Sequence, residues 1–353
     1  MNSAGDILFD KRGAAGCVIL NRPGALNAIT HGMIKALSDA LDDWRDDPSV
    51  TRVIVTANGD RAFSAGGDVR ALYDLGRSGR QAEALMFFRD EYGLNAKIKR
   101  YPKPYISLID GIVMGGGVGV SIHGSHRVAG NKYVFAMPEV GIGFFPDVGA
   151  TYALPRMAGE IGTYCALTGG RLKTADAVLS GAATHHVPSH RFGDLLSALS
   201  TAEPVNAVLS QFMERAGEGE IMPRRRAVDR LFAYDSVEEI LAALEQEAGS
   251  GSDQAEWAGA AAATVRTKSP TSLKLALAQL RRGRHLSFEA CMAIEYRIVS
   301  QIVYGHDMYE GVRAVIVDKD NAPRWAPGRL AEVDDAAVER FFESRQQGGL
   351  GLS

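Results

Sequence analysis

The segment 105-YISLIDGIVMGGGVGVSIHG-124 passes from an apolar run into a cluster of glycines and out into small and apolar residues. YISLID (105–110) has the β-branched and aromatic content of a strand. The glycines that follow suit a loop whose bare backbone something else must approach closely. A strand feeding a glycine-rich loop and then a helical pattern is the unit of an α/β architecture, where loops at strand ends collect the chemistry. The stretch 63-FSAGGDVR-70 has the same form. Each loop should leave unpartnered N–H groups at the start of a helix. Two such groups converging from separate loops would make an oxyanion hole.

Further strands are expected at GCVIL (16–20) and VTRVIVT (50–56). Between them Ile29, Met33, Leu37, Leu41 and Trp44 recur at the spacing of an amphipathic helix, which Asp47-Pro48 stops. HRVAG (126–130) and KYVFAM (132–137) read as two more strands, divided at Asn131 by a tight turn. A helix at ADAVLSG (175–181) leads into a second half that is helical in character. It holds VNAVLSQFMERA (205–216), VEEILAALEQEA (237–248), SLKLALAQLRR (272–282) and FEACMAIEYRIVSQIV (288–303), with GSGSD (249–253) as a flexible break. The organisation expected is an α/β core over residues 1–200 followed by a helical region over 201–353. The arginine run 224–226 reads as a solvated helix start, and the tail 343–353 as disordered.

The 353 residues are 46% hydrophobic and 23% charged, the make-up of an ordinary globular chain with a sizeable core. A net charge of −3 gives no electrostatic reason to expect nucleic acid or an anionic membrane as partner. Acids at positions 6 and 10 and the lack of a long apolar run point to a cytoplasmic protein. Cys17, Cys165 and Cys291 are far apart and outside any C-x-x-C, so buried reduced thiols are expected, and no metal motif is present. The glycine loops lack the spaced glycines and the following acid of a dinucleotide site, and also the lysine of a phosphate loop. No serine lies in G-x-S-x-G.

Three acids single themselves out, two of them by having little charged company. Glu139 and Asp147 lie eight residues apart in 132-KYVFAMPEVGIGFFPDVG-149, and Glu91 falls on the apolar stripe of Phe87, Leu94 and Ile98. A buried glutamate must be paired, hydrogen-bonded or used. From the residues alone, Glu139 reads first as a first-turn acid favoured by a helix dipole and Asp147 as a helix cap, ahead of working carboxylates. His123, just beyond the second glycine loop, is placed to approach the same site.

The set LNRPGALNAIT (20–30), RAFSAGGDVR (61–70), YPKPYISLIDGIVMGGGVGVSIHG (101–124), FAMPEVGIGFFPDVGATYALPR (135–156) and ALTGGRLKTADAVLSGAATHHV (166–187) resembles the enoyl-CoA hydratase/isomerase (crotonase) superfamily. The resemblance extends to 273–303 for the subgroup that hydrolyses short branched 3-hydroxyacyl-CoA thioesters. It implies an α/β crotonase (ClpP-like) fold of repeated ββα units with a helical C-terminal region. It implies an acyl-CoA substrate, coenzyme A being part of that substrate rather than a cofactor, and a homo-oligomer whose contacts the long helical half could instead supply within one chain. By matching positions, Gly67 and Gly116 would hold the thioester oxygen, and Gly24, Ala25, Leu26, Ala65 and Asp68 would line the coenzyme A groove. A crotonase hydratase carries one of its two acids two residues beyond the GGG loop, where this chain has Gly119; the other is matched by Glu139. In the hydrolase subgroup, acids at the positions of Glu91, Glu139 and Asp147 contact or act on substrate. Glu139 is thus expected as nucleophile or base, Asp147 as its positioning or proton-handling partner, and Glu91 as the group that meets the substrate 3-hydroxyl. The alternatives are a short-chain enoyl-CoA hydratase/isomerase and a non-catalytic acyl-CoA-binding protein.

Overall fold

The strands sort into two sheets by alternation along the chain. In the computed structural model, which describes residues 5–343 and 350–351, the strands are β1 (Ile7–Arg12), β2 (Ala15–Leu20), β3 (Arg52–Ala57), β4 (Ala62–Ser64), β5 (Tyr105–Ile109), β6 (Ile112–Met114), β7 (His126–Ala129), β8 (Val134–Ala136), β9 (Leu172–Lys173) and β10 (His185–His186). One sheet has the order β1-β2-β3-β5-β7-β10 and the other β4-β6-β8-β9. From β3 to β8, each successive pair gives its first strand to the larger sheet and its second to the smaller. This repeat of two strands and a helical connection is the ββα unit expected. β1 and β2 are antiparallel, whereas β2, β3, β5, β7 and β10 run parallel. HRVAG and KYVFAM are both strands, but not a hairpin, because Asn131 carries the chain from one sheet to the other.

Chain contacts define two compact units, each assembled from three separated stretches. The first comprises Met1–Asp68, Asp90–Phe135 and Arg171–Met222. Parallel strands buried on both faces read as continuous apolar runs, and β5 is buried at every position. One face packs Cys17, Ile54, Ile106, Leu108 and Val128 against Leu195 and Leu199 of the helix Phe192–Leu199 and Val208 and Leu209 of the helix Val205–Phe212. The helix His31–Asp46 buries Met33, Leu37, Leu41 and Trp44 as the spacing predicts, but Ile29 lies ahead of it. The Thr30 side chain accepts from Met33 N–H and starts the helix there. That leaves Ile29 to bridge the backbone of Gly67.

The second unit comprises Val69–Arg89, Ala136–Gly170 and Pro223–Ser353. Serine side chains cap three of its helices, Ser236 for Val237–Ala248, Ser269 for Pro270–Gly283 and Ser287 for Phe288–Ile302, each accepting the third N–H of its helix. The helix Ile161–Thr168 is buried throughout. Its Tyr164 ring lies 5.5 Å from Phe232 and 5.9 Å from Trp257, centroid to centroid. GSGSD is the turn between Val237–Ala248 and the helix Ala255–Arg266, which pack on each other. The arginine run begins the helix Arg225–Leu231 with Arg225 and Arg226 exposed. A Cβ at Gly283 would overlap the carbonyl oxygen of Thr151. Gly283→Ala should therefore cost about 1–3 kcal/mol of stability by overpacking, read as a lower denaturant midpoint at unchanged slope.

Cys17, Cys165 and Cys291 are buried free thiols. Among the described residues no helix is long and apolar enough to cross a membrane. Of the tail expected to be disordered, residues 344–349 and 352–353 lie outside the described residues.

Candidate active site

In the first unit the two glycine loops meet. The chain leaves β4 and forms a parallel bridge between Gly67 and Ile29, in which Gly66 O accepts from Ile29 N–H and Asp68 N–H donates to Ile29 O, both at 2.8–2.9 Å. Those two bonds use the peptides on either side of Gly67, so the Gly67 N–H points away from Ile29. Gly116 is the first residue of the short helix Gly116–Gly119, where an N–H has no intrahelical acceptor. The helix is shorter than the pattern after the loop suggests, since glycines at 115, 116, 117 and 119 weaken helix formation. A Cβ at Gly116 would lie 3.1 Å from Gly67 N and 2.7 Å from Glu91 Oε1. Gly67, Gly116 and Glu91 are therefore brought together, and only glycine leaves room at 116.

Glu91 is 2% exposed on the helix Gln81–Lys99, with Phe87, Leu94 and Ile98 buried beside it as the stripe predicts. One turn further, Asn95 is fully buried, and neither polar atom of its side chain has a hydrogen-bond partner among the described residues. The stripe rule that found Glu91 could have found Asn95 at i+4. His123 is also buried in this unit.

The residues expected to line the coenzyme A groove adjoin one another. Pro23–Ala25 form a 3-10 turn, and Leu26 and Asn27 continue it at φ values of 50° and 54°. Ala65 N–H donates to Leu26 O at 2.9 Å, which sets the 24–26 turn beside the 65–68 loop. Gly24 and Ala25 are exposed, and a Cβ at Gly24 would meet nothing within 4 Å. Asp68 pairs with Arg22 at 3.2 Å. The turn is pinned by Asn27, 1% exposed, whose amide donates to Asn58 O and Ala62 O and whose oxygen accepts from Arg22 N–H. Sequence reading passed over Asn27, which has no apolar periodicity to mark it.

In the second unit Glu139 opens the short 3-10 helix Glu139–Ile142 and is 6% exposed; its Oε2 has no hydrogen-bond partner among the described residues. Burial, and then the neighbouring charge of Asp147, raise its carboxyl well above the ordinary glutamate range, against a bond from its own backbone N–H. Asp147 is 5% exposed. Its carbonyl oxygen accepts from Ala150 N–H at 2.9 Å, closing a turn whose central residues Val148 and Gly149 have φ of 52° and 86°. Two positive values mark a type I′ turn. A valine there is an outlier, because its branched side chain crowds the backbone in the left-handed region.

A fourth buried acid adjoins this turn. Glu295, fully buried on the helix Phe288–Ile302, accepts from Gly149 N–H at 2.7 Å and from Thr151 N–H at 2.9 Å. Burial and the charge of Asp147 push its carboxyl up to about 8, and those N–H donors pull the other way. Gln279, also fully buried, donates to Pro146 O at 2.5 Å. Sequence reading missed both. Glu295 shares a face with the buried Cys291, Met292, Ile298 and Val299, so the test applied to Glu91 would have found it. Among the described residues, no group of acids, histidines and cysteines could hold a metal ion. Glu139 is thus a desolvated carboxyl of raised basicity and Asp147 an acid fixed on a strained turn.

The model of a protein family described as enoyl-CoA hydratase/isomerase matches residues 15–342. The chain belongs to the enoyl-CoA hydratase/isomerase family. Its repeated ββα units and helical C-terminal region are the crotonase fold. A relative named 3-hydroxyisobutyryl-CoA hydrolase, mitochondrial, from Danio rerio is 43% identical, over 98% of this chain and 92% of that protein. A solved structure described as a carnitinyl-CoA dehydratase from Mycobacterium thermoresistibile has a TM-score of 0.91 and 42% identity, covering 97% of each chain. Another, described as an enoyl-CoA hydratase from Rhodobacter sphaeroides, has a TM-score of 0.91 and 37% identity, over 98% of this chain and 99% of that one. Since these family members carry different reaction names on one fold, the residues of the site must separate the reactions.

Proposed function

We propose that the protein hydrolyses 3-hydroxyisobutyryl-CoA to 3-hydroxyisobutyrate and coenzyme A. The observation that carries the reading is a set of acids: Glu139 and Asp147 are both buried and electrostatically coupled, while the position of the other hydratase acid is Gly119. The full-length similarity to hydrolases of that name supports the substrate.

Thioester hydrolysis needs N–H donors where charge develops on oxygen and a carboxylate that attacks the carbonyl carbon or deprotonates water against it. Gly67 and Gly116 would supply the donors, and Glu139 the carboxylate. The carbon gains an oxygen from water, whose proton passes to Glu139, or from Glu139 itself. The C–S bond then breaks and coenzyme A leaves as the thiolate. It becomes the thiol with the proton that Glu139 took from water or, on the second route, with the proton released when water cleaves the anhydride. On the second route water hydrolyses the acyl-Glu139 anhydride, so either route consumes one water. A raised carboxyl suits both roles, since basicity drives proton abstraction and attack alike. Glu91, beside Gly116, would accept from the 3-hydroxyl of the acyl chain. Asp147 would keep Glu139 basic by its charge.

The second reading is hydration of an enoyl-CoA, favoured by the reactions for which the two solved structures are named. Thiol release from 3-hydroxyisobutyryl-CoA, followed with a thiol reagent beside water addition to crotonyl-CoA, separates the two. The expected result is rapid thiol release with little hydration; hydration without thiol release would overturn the proposal.

A further inference from the structure

The turn that presents Asp147 is held from two helices far along the chain. Gln279 binds the carbonyl before it, at Pro146, and Glu295 takes the N–H groups after it, at Gly149 and Thr151. Between these anchors sits Val148 at a φ of 52°, a conformation that persists only when its surroundings impose it. The helix that Glu295 caps is only Ala150–Ala153. At three longer helices of the unit the same task falls to serines adjacent in sequence, Ser236, Ser269 and Ser287, and at Asp335–Arg340 to the exposed Asp334, at no cost of a buried charge. Glu295 instead comes from 146 residues away and sets a second buried ionisable group in the field of Asp147, a costly arrangement for a cap.

We infer that Glu295 is a positioning residue of the reaction: its two carboxylate oxygens grip Gly149 N–H and Thr151 N–H and hold the Asp147 turn in its working geometry. The inference rests on the proposed role of Asp147. Two acceptor oxygens on one rigid, fully buried side chain fix both position and tilt of the backbone leaving Asp147, which a single hydroxyl cap would not. Glutamine at 295 keeps the size but presents a donor to one of the two N–H groups, so one anchor becomes a repulsion. Aspartate keeps both acceptors one carbon short.

The test is a double-mutant cycle of Glu295→Gln and Asp147→Asn in the full chain, reading kcat and KM for 3-hydroxyisobutyryl-CoA and the thermal midpoint. Misplacing a working group by about 1 Å costs on the order of 10²-fold. Glu295→Gln is therefore expected to lower kcat about 10- to 100-fold with KM within about threefold, and Glu295→Asp to recover part of the loss. In the Asp147→Asn background, Glu295→Gln should cost less than about threefold more, because residues acting as a unit are not additive. Wild-type kcat in Glu295→Gln, or a loss that multiplies with that of Asp147→Asn, would overturn the inference while leaving the hydrolase reading intact. Wild-type kcat in Asp147→Asn would instead remove Asp147 from the mechanism, and the inference with it. Should Glu295→Gln not fold, Glu295→Asp takes its place in the same cycle, with a kcat loss confined to the Asp147 background as the supporting result and a multiplying loss as the overturning one.

Discussion

Glu139→Gln is expected to lower kcat for thioester cleavage by roughly 10³-fold, with KM for the CoA ester little changed. Glutamine fills the same volume but can neither attack the carbonyl nor take a proton from water. The same substitution should raise the thermal midpoint. Glu139 is 6% exposed and its Oε2 has no partner among the described residues, so its charged form is held at a desolvation cost that a neutral amide avoids. Because burial raises the folded-state carboxyl above the unfolded value of about 4.5, this group's contribution to stability is complete below that pH and is lost as pH rises through the folded value. The midpoint difference between variant and wild type should therefore be smallest near pH 4 and grow toward neutrality. Thiol-release kinetics and scanning calorimetry at several pH values check both halves. Full activity in Glu139→Gln would exclude it as nucleophile or base.

Gly116→Ala is expected to reduce kcat about 10²- to 10³-fold, the usual effect of losing one oxyanion donor. Its Cβ would stand 3.1 Å from Gly67 N and 2.7 Å from Glu91 Oε1, so it disturbs both proposed donors and the acid beside them. Gly93→Ala on the helix Gln81–Lys99 is the control. A Cβ there meets nothing within 4 Å, and alanine should stabilise the helix by about 0.5–1 kcal/mol without touching turnover. Equal losses in the two variants would show that Gly116 contributes to folding rather than to the oxyanion.

Much of the fold was legible because it depends on local periodicity. The strands at 16–20, 50–56 and 105–110 and the helices at 237–248, 272–282 and 288–303 stand where their patterns place them. Where the reading slipped, a competing local bond decided the outcome: the Thr30 cap excludes Ile29 from its helix, and glycines shorten the helix at Gly116. Glu91 could be found from its place on an apolar stripe. Glu139 and Asp147 lie in an irregular segment with no period, where cap and catalyst look alike.

The sequence by itself determined the elements, the glycine loops, the acids and the family pattern that joins them, all of which are written in neighbouring residues. Tertiary structure alone decided how the strands divide between two sheets and how three separated stretches make each unit. It alone placed the Gly67 N–H away from Ile29, beside Gly116 and Glu91, and set Glu295 and Gln279 around the Asp147 turn. The physical reason is range. Propensity and periodicity act over a few residues, whereas the strained Val148 sits between anchors from Gln279 and Glu295, well over a hundred residues away along the chain.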